Sequence, residues 1–127
     1  MFSIKRADKG NNPVIKELPA AAGTYKVGEV AVFDGGYITR VSGTTMPTYV
    51  TAAAGTYASG DKIAVNPIYK DMEFETELSV AGQLTNGSVV TISSTFDSIT
   101  STTTSGVATV IETTGSASGS KAIVKFI

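Results

Sequence analysis

The chain has no cysteine, no histidine and no tryptophan. Without cysteine there are no disulfides and no thiolate metal sites, and thiol chemistry says nothing about compartment. Without histidine the commonest general base and the commonest transition-metal ligand are missing as well. Catalysis would fall to carboxylate, lysine or tyrosine chemistry, so an enzyme is not expected, nor a cofactor or a metal. A serine–lysine dyad built on Lys121 or Lys125 has nothing in the sequence to support it. No run of about eighteen apolar residues is present, which excludes a membrane-spanning helix. The start, Met1-Phe2-Ser3-Ile4, breaks directly into Lys5-Arg6-Ala7-Asp8-Lys9 and so has no apolar signal core. The expectation is a soluble product made in the cytoplasm.

Net charge is also nearly absent. Ten basic and eleven acidic residues leave a formal charge of −1 over 127 residues. No global field draws the protein to nucleic acid or to an anionic membrane, and neither is an expected partner. The distribution is uneven, however. Lys5, Arg6, Lys9 and Lys16 face only Asp8 among their near neighbours in the first sixteen residues, whereas Asp71, Glu73, Glu75 and Glu77 fall in one short window. Each cluster reads as a solvated face or as a surface for a partner of opposite sign.

What the chain does have is a repeat. Ala20-Ala21-Ala22-Gly23-Thr24-Tyr25, followed by Gly28-Glu29, returns as Ala52-Ala53-Ala54-Gly55-Thr56-Tyr57, followed by Gly60-Asp61. Each copy leads into an apolar run, Val30-Ala31-Val32 and Ile63-Ala64-Val65. A degraded third copy, Gly82 to Gly87, precedes Val89-Val90-Thr91-Ile92. Glycine permits turn conformations with φ > 0, and the runs that follow have strand chemistry, so the unit is a turn leading into a strand. Uneven spacing between copies argues against a solenoid. Tyr25 and Tyr57 occupy equivalent positions, which points to packing rather than binding.

Along the chain, residues 1–19 lack a sustained period and contain Gly10-Asn11-Asn12-Pro13 and Pro19, and they read as an extended arm. The arm either forms a strand on its own domain or reaches a neighbour. A hairpin is expected around Asp34-Gly35-Gly36, with Val30, Val32 and Phe33 before it and Tyr37, Ile38 and Val41 after it. Short strands are expected at 48–51 and at 62–65, the latter stopping at Asn66-Pro67. Glu73, Glu75 and Glu77 alternate with Phe74, Thr76 and Leu78, which places three carboxylates on one strand face. A hard cation would need more convergent oxygens than this face supplies, so it reads as a solvated or partner-facing edge. Asn86-Gly87-Ser88 matches a glycosylation sequon and reads instead as a tight turn.

From Thr91 to Ser120 seventeen of thirty residues are Ser or Thr, yet apolar residues keep returning, so this half reads as short strands rather than disorder. The apolar end, Ala122 to Ile127, is expected to be a buried strand. No window has a helical apolar period. With a length that buries roughly two-thirds of the unfolded surface, residues 20–127 are expected to be one β-rich domain. The fold class is all-β: a small β-barrel or β-sandwich-like module with an internal pseudo-repeat and an extended N-terminal arm.

Several stretches carry a resemblance. Leu18-Pro19-Ala20-Ala21-Ala22-Gly23-Thr24-Tyr25-Lys26-Val27-Gly28-Glu29-Val30, Gly43-Thr44-Thr45-Met46-Pro47-Thr48-Tyr49-Val50, Gly60 to Ile68 with Glu73-Phe74-Glu75-Thr76, and Lys121 to Phe126 together resemble the head decoration, or capsid cement, proteins of tailed bacteriophages. The likeness spans most of the chain on short, glycine-based motifs. It implies a β-rich module on the exterior of a mature virion capsid, with the major capsid protein as partner, commonly as a homotrimer that reinforces the shell. Such proteins have no catalytic motif, so no residue role transfers individually. An N-terminal arm commonly contacts the shell, which makes Phe2, Ile4, Lys5, Arg6, Lys9, Val14 and Lys16 the candidate capsid-binding residues. Glu73, Glu75 and Glu77 are the candidate interface residues. The alternatives are a tail- or fibre-associated adhesion module that uses the threonine-rich half and, third, a small nucleic-acid-binding barrel.

Overall fold

A computed structural model describes residues 1–6 and 14–126. The chain is all-β, with no helix among the described residues. Its strands are β1 (Ser3–Arg6), β2 (Lys16–Pro19), β3 (Gly23–Tyr25), β4 (Val30–Asp34), β5 (Tyr37–Arg40), β6 (Tyr49–Thr51), β7 (Gly55–Tyr57), β8 (Lys62–Pro67), β9 (Glu73–Glu77), β10 (Val89–Val90), β11 (Ala108–Thr113) and β12 (Lys121–Phe126). They form one five-stranded sheet in the order β1-β9-β12-β11-β10, a second in the order β2-β8-β6-β4-β5, and a two-stranded pair, β3-β7. All these strand pairings are antiparallel.

Both faces of the second sheet are used. The cross-strand pair Val30–Val50 enters the larger apolar cluster, with Phe74, Val110, Val124 and Phe126 of the first sheet. The neighbouring pair Ala31–Tyr49 points the other way, to a smaller cluster of Ala20, Tyr25, Ile38, Ile63 and Val65. This is the period-2 alternation of a strand covered on both sides. The second sheet curls toward closure, because Ala20 bridges Ile38 and the Ala21 N–H donates to the Ile38 carbonyl at 3.0 Å. One bridge does not complete a barrel. Of the two architectures expected, the sandwich-like one stands.

The repeat is visible as pseudo-symmetry. Gly28 and Gly60, at φ 83° and 91°, occupy equivalent left-handed turn positions where an L side chain is strained. The acid after each glycine accepts the backbone N–H three residues back, Glu29 from Lys26 at 2.7 Å and Asp61 from Ala58 at 2.9 Å. Each turn leads into a strand, β4 or β8. The degraded third copy keeps half of this device: Gly87 is left-handed at φ 89° before β10, whereas Gly82 has no counterpart to β3 or β7.

Local expectations met the structure unevenly. The β4–β5 hairpin turns on Gly35 and Gly36, both at positive φ, as a two-residue primed turn requires. Asn86-Gly87 is a turn, closed by Ser88 N–H to the Thr85 carbonyl at 3.0 Å. The strand expected to stop at Asn66-Pro67 instead runs through both, pairing Pro67 with Tyr49. Proline is tolerated there because β2, the neighbour on the other side, pairs only as far as Val65. Residues 91–107, expected to hold several strands, are joined mainly by single bridges, Gly43–Ile92, Leu78–Ile99 and Ile92–Ile99.

Candidate functional site

The basic start of the chain and the acidic strand meet each other. Strand β1 pairs with β9, setting Ser3 opposite Glu75 and Ile4 opposite Phe74. A bulge then sets Arg6 opposite Glu73, with Lys5 as the extra residue. The Arg6 guanidinium lies 3.7 Å from Glu73 and the Lys5 ammonium 3.8 Å from Glu75, while the Met1 ammonium pairs with Glu77. From the other side β12 brings Lys121 to 3.5 Å from Glu77, and Lys125 reaches Asp71 at 3.8 Å. Strand β9 is therefore internal to the sheet, and the expectation of a carboxylate edge is corrected. Three glutamates on one face are acceptable in the middle of a sheet because both flanking strands carry cations to them. Exposed pairs of this kind stabilise by about 0–1 kcal/mol each, so their main effect is to favour one strand neighbour and register over others. Among the described residues no group of three or more carboxylates is placed to hold a metal.

The seven candidate contact residues divide by burial. Phe2 is buried, its ring 5.5 Å from that of Phe126, which in turn lies 5.4 Å from Phe74. It is a core residue and is unavailable to a partner. Ile4 packs half-buried against the same cluster. Lys5 and Arg6 are exposed but already paired. Lys9 lies outside the described residues. Val14 and Lys16 are exposed, and Ile15 between them is 63 % exposed, so the outward apolar and cationic groups gather at the entrance to β2.

Strands β1 and β2 both lie at sheet edges. Each is blunted against indiscriminate pairing, β1 by its bulge and charges and β2 by Lys16, Glu17 and Pro19.

A second polar cluster escaped the sequence reading. The Glu29 carboxylate, almost fully buried, lies 3.5 Å from the Arg40 guanidinium. Arg40 donates to the Thr24 carbonyl at 2.7 Å and stacks between the rings of Tyr25 and Phe96, 4.6 and 5.0 Å from their centroids. The Tyr25 hydroxyl donates to the carbonyls of Ala21 at 2.7 Å and Ile38 at 3.1 Å. Burial pushes its pKa above the usual 10.0; the Arg40 charge opposes the shift and Glu29 adds to it. Every member has partners inside the fold, so the cluster ties the first repeat to the second sheet and to the Phe96 turn. The signal for it was the acid that follows the turn glycine in both copies.

Hydroxyls of the threonine-rich half are partly spent internally, as Thr91–Thr100 and Ser93–Ser98 pairs at 2.7 Å each. Two Ser-x-x-Lys stretches, Ser59 to Lys62 and Ser118 to Lys121, lie across turns rather than along a helix. Ser118 donates to the Ser79 carbonyl and Lys121 is held by Glu77, so this pair is not arranged as nucleophile and base.

Three of the clefts among the described residues lie against the first sheet. One of about 120 Å³ lies over the β11 bulge, between Glu75, Glu112 and Lys121. Another of about 250 Å³ lies between Met46, Tyr69 and Phe126. The largest of the three, about 300 Å³, lies between β1 and the internal strands β6 and β8 of the second sheet. Compared with protein-family models and with curated proteins, the sequence matches none.

Proposed function

We propose that the protein is a structural virion component that binds the outer surface of a mature phage capsid and stabilises it. The reading is supported by the resemblance of residues 18–30, 43–50, 60–68, 73–76 and 121–126 to capsid cement proteins. The observation that carries it into the structure is the outward-facing group Val14, Ile15 and Lys16, an apolar and cationic patch that follows a strand whose own cations, Lys5 and Arg6, are paired with β9. Apolar area supplies affinity, and one cation supplies attraction to an acidic shell. Many copies on one lattice multiply a modest local affinity.

The test mixes purified protein with mature capsids that lack it and measures bound copies and resistance of the shell to heat. Stoichiometric binding with added resistance is expected, and absence of binding overturns the reading. Deleting residues 1–17 would be a poor probe of the contact, because it removes Phe2 from the core. Ile15→Asp with Lys16→Glu is cleaner: both side chains are exposed, so the fold should survive while capsid binding weakens at least about tenfold.

A further inference from the structure

The turn at Asn86-Gly87 carries a reaction that the fold controls. The asparagines of the chain are Asn11, Asn12, Asn66 and Asn86. Asn12 and Asn66 precede proline, whose nitrogen has no proton to give up, and Asn11 precedes a residue with a side chain. Only Asn86 precedes glycine, whose missing Cβ leaves its nitrogen open to the preceding side chain. In that pair the Gly87 nitrogen attacks the Asn86 side-chain carbonyl carbon. The bond from Gly87 N to Asn86 Cγ forms, the Cγ–Nδ2 bond breaks, and the amide leaves as ammonia with the proton from Gly87. Water then opens the resulting succinimide ring at either carbonyl. One opening gives aspartate, and the other gives isoaspartate, with the main chain rerouted through the side chain.

The surrounding structure exposes this pair to water and also restrains it. Asn86 and Gly87 are exposed and lie just before β10, a short strand at the edge of the first sheet. The Ser88 N–H donates to the Thr85 carbonyl at 3.0 Å and Gly87 has φ 89°, which makes 85–88 a type II turn with Asn86 in its second position. Such a turn holds that residue at ψ of about +120°. Ring closure needs negative ψ, with the glycine nitrogen swung round beside the side chain. The nitrogen is also occupied: Gly87 N–H donates to the Val110 carbonyl at 2.7 Å, and Val110 N–H donates to the Ser88 carbonyl at 2.8 Å. Attack therefore waits for the turn to leave β11. We propose that Asn86 is a site of spontaneous, age-dependent modification, gated by the opening of β10 from β11. The isoaspartyl product has one extra main-chain carbon and a new negative charge. It cannot restore both bonds to Val110, so the edge that covers buried Leu84 and Val90 stays loosened. The reaction needs no partner and proceeds whether or not the protein decorates a shell.

The experiment incubates the full chain in warm, mildly alkaline buffer, folded in one arm and unfolded by guanidinium in the other. Peptide mapping by mass spectrometry follows conversion at each asparagine, with isoaspartate distinguished from aspartate by enzymatic methylation. In the unfolded arm Asn86 should convert first. In the folded arm it should convert about tenfold to a hundredfold more slowly, the range of a local edge opening. Hydrogen exchange of the Gly87 N–H reports the same opening and should be slowed by a matching factor, within about threefold. Val90→Ala loosens β10 without touching the reacting pair. It should speed conversion at least about threefold in the folded arm and leave the unfolded arm unchanged. The purified isoaspartyl form should melt below Asn86→Asp, which carries the added charge without the extra carbon. Equal rates in the two arms overturn the gate, and equal melting overturns the loosened edge. Another asparagine converting first in the unfolded arm overturns the site, as does a folded arm without product after about a hundred unfolded half-times.

Discussion

Thr24 and Thr56 hydrogen-bond to each other through their hydroxyls at 3.0 Å, at the centre of the β3–β7 pair. They are the same residue of the two Ala-Ala-Ala-Gly-Thr-Tyr copies, so the repeat is paired with itself across a local pseudo-two-fold axis. Gly23 lies opposite Tyr57 and Gly55 opposite Tyr25, and the two tyrosine rings meet edge to face at 5.6 Å. The larger strands obey the same relation. Strands β2 and β8 pair as β6 and β4 do, with the register displaced by one residue between the two halves.

The equivalent turn glycines give the first prediction. An added Cβ at Gly60 meets nothing within 4 Å, whereas at Gly28 it would lie 2.6 Å from Met1 Cβ and 3.0 Å from Phe2 N. Gly60→Ala should cost about 1–2 kcal/mol from backbone strain alone. Gly28→Ala adds a clash with the start of β1 and should cost about 2–5 kcal/mol in total. Urea denaturation of the two variants checks the difference, and equal losses would show that β1 does not press on that turn.

How much of this was legible follows from which information is local. The Asp34-Gly35-Gly36 hairpin, the Gly28 and Gly60 turns and the buried ending at Phe126 were readable, because turn chemistry and period-2 burial are written within a few residues. The partnership of Lys5 and Arg6 with Glu75 and Glu73 was not. Two clusters of opposite sign, some seventy residues apart, were each read as facing outward, and only strand order brings them together. The same holds for Phe2: one aromatic ahead of a basic run has no local mark of burial, and Phe126 and Phe74 supply it from far along the chain.

The Glu29–Arg40 pair gives the second prediction. Arg40→Met leaves the buried Glu29 carboxylate without its cation and should cost about 3–5 kcal/mol. Glu29→Gln combined with Arg40→Met removes the stranded charge and should be markedly less destabilising than Arg40→Met alone. Denaturant midpoints for Arg40→Met, Glu29→Gln and the double variant decide this, and additive losses would mean that the pair is not electrostatically coupled.

Stability at alkaline pH should fall through Tyr25. Its folded pKa is raised, chiefly by burial, so above pH 10.0 the unfolded chain releases this proton more readily than the folded one. The contribution is fully present below pH 10 and is lost as pH rises toward the folded value. Ionisation would also remove the donor that holds the Ala21 and Ile38 carbonyls. Tyr25→Phe should be less stable at neutral pH by about 1 kcal/mol, and its stability should decline less steeply above pH 10. Melting temperatures of both proteins from pH 8 to 11 test the slope.

Removing residues 122–127 should unfold the first sheet rather than trim it. Strand β12 lies between β9 and β11, so its loss splits the sheet in two and leaves each of those strands unpaired along one side. Ala122, Val124 and Phe126 are buried, and Phe126 is the ring that joins Phe2 to Phe74. Loss of that apolar burial alone is worth about 5 kcal/mol, comparable with the whole stability of many domains of this size. The truncated chain should therefore lose the cooperative melting transition and gain protease sensitivity throughout the first sheet. A truncated form that melts like the intact protein would show that β12 is dispensable to the core.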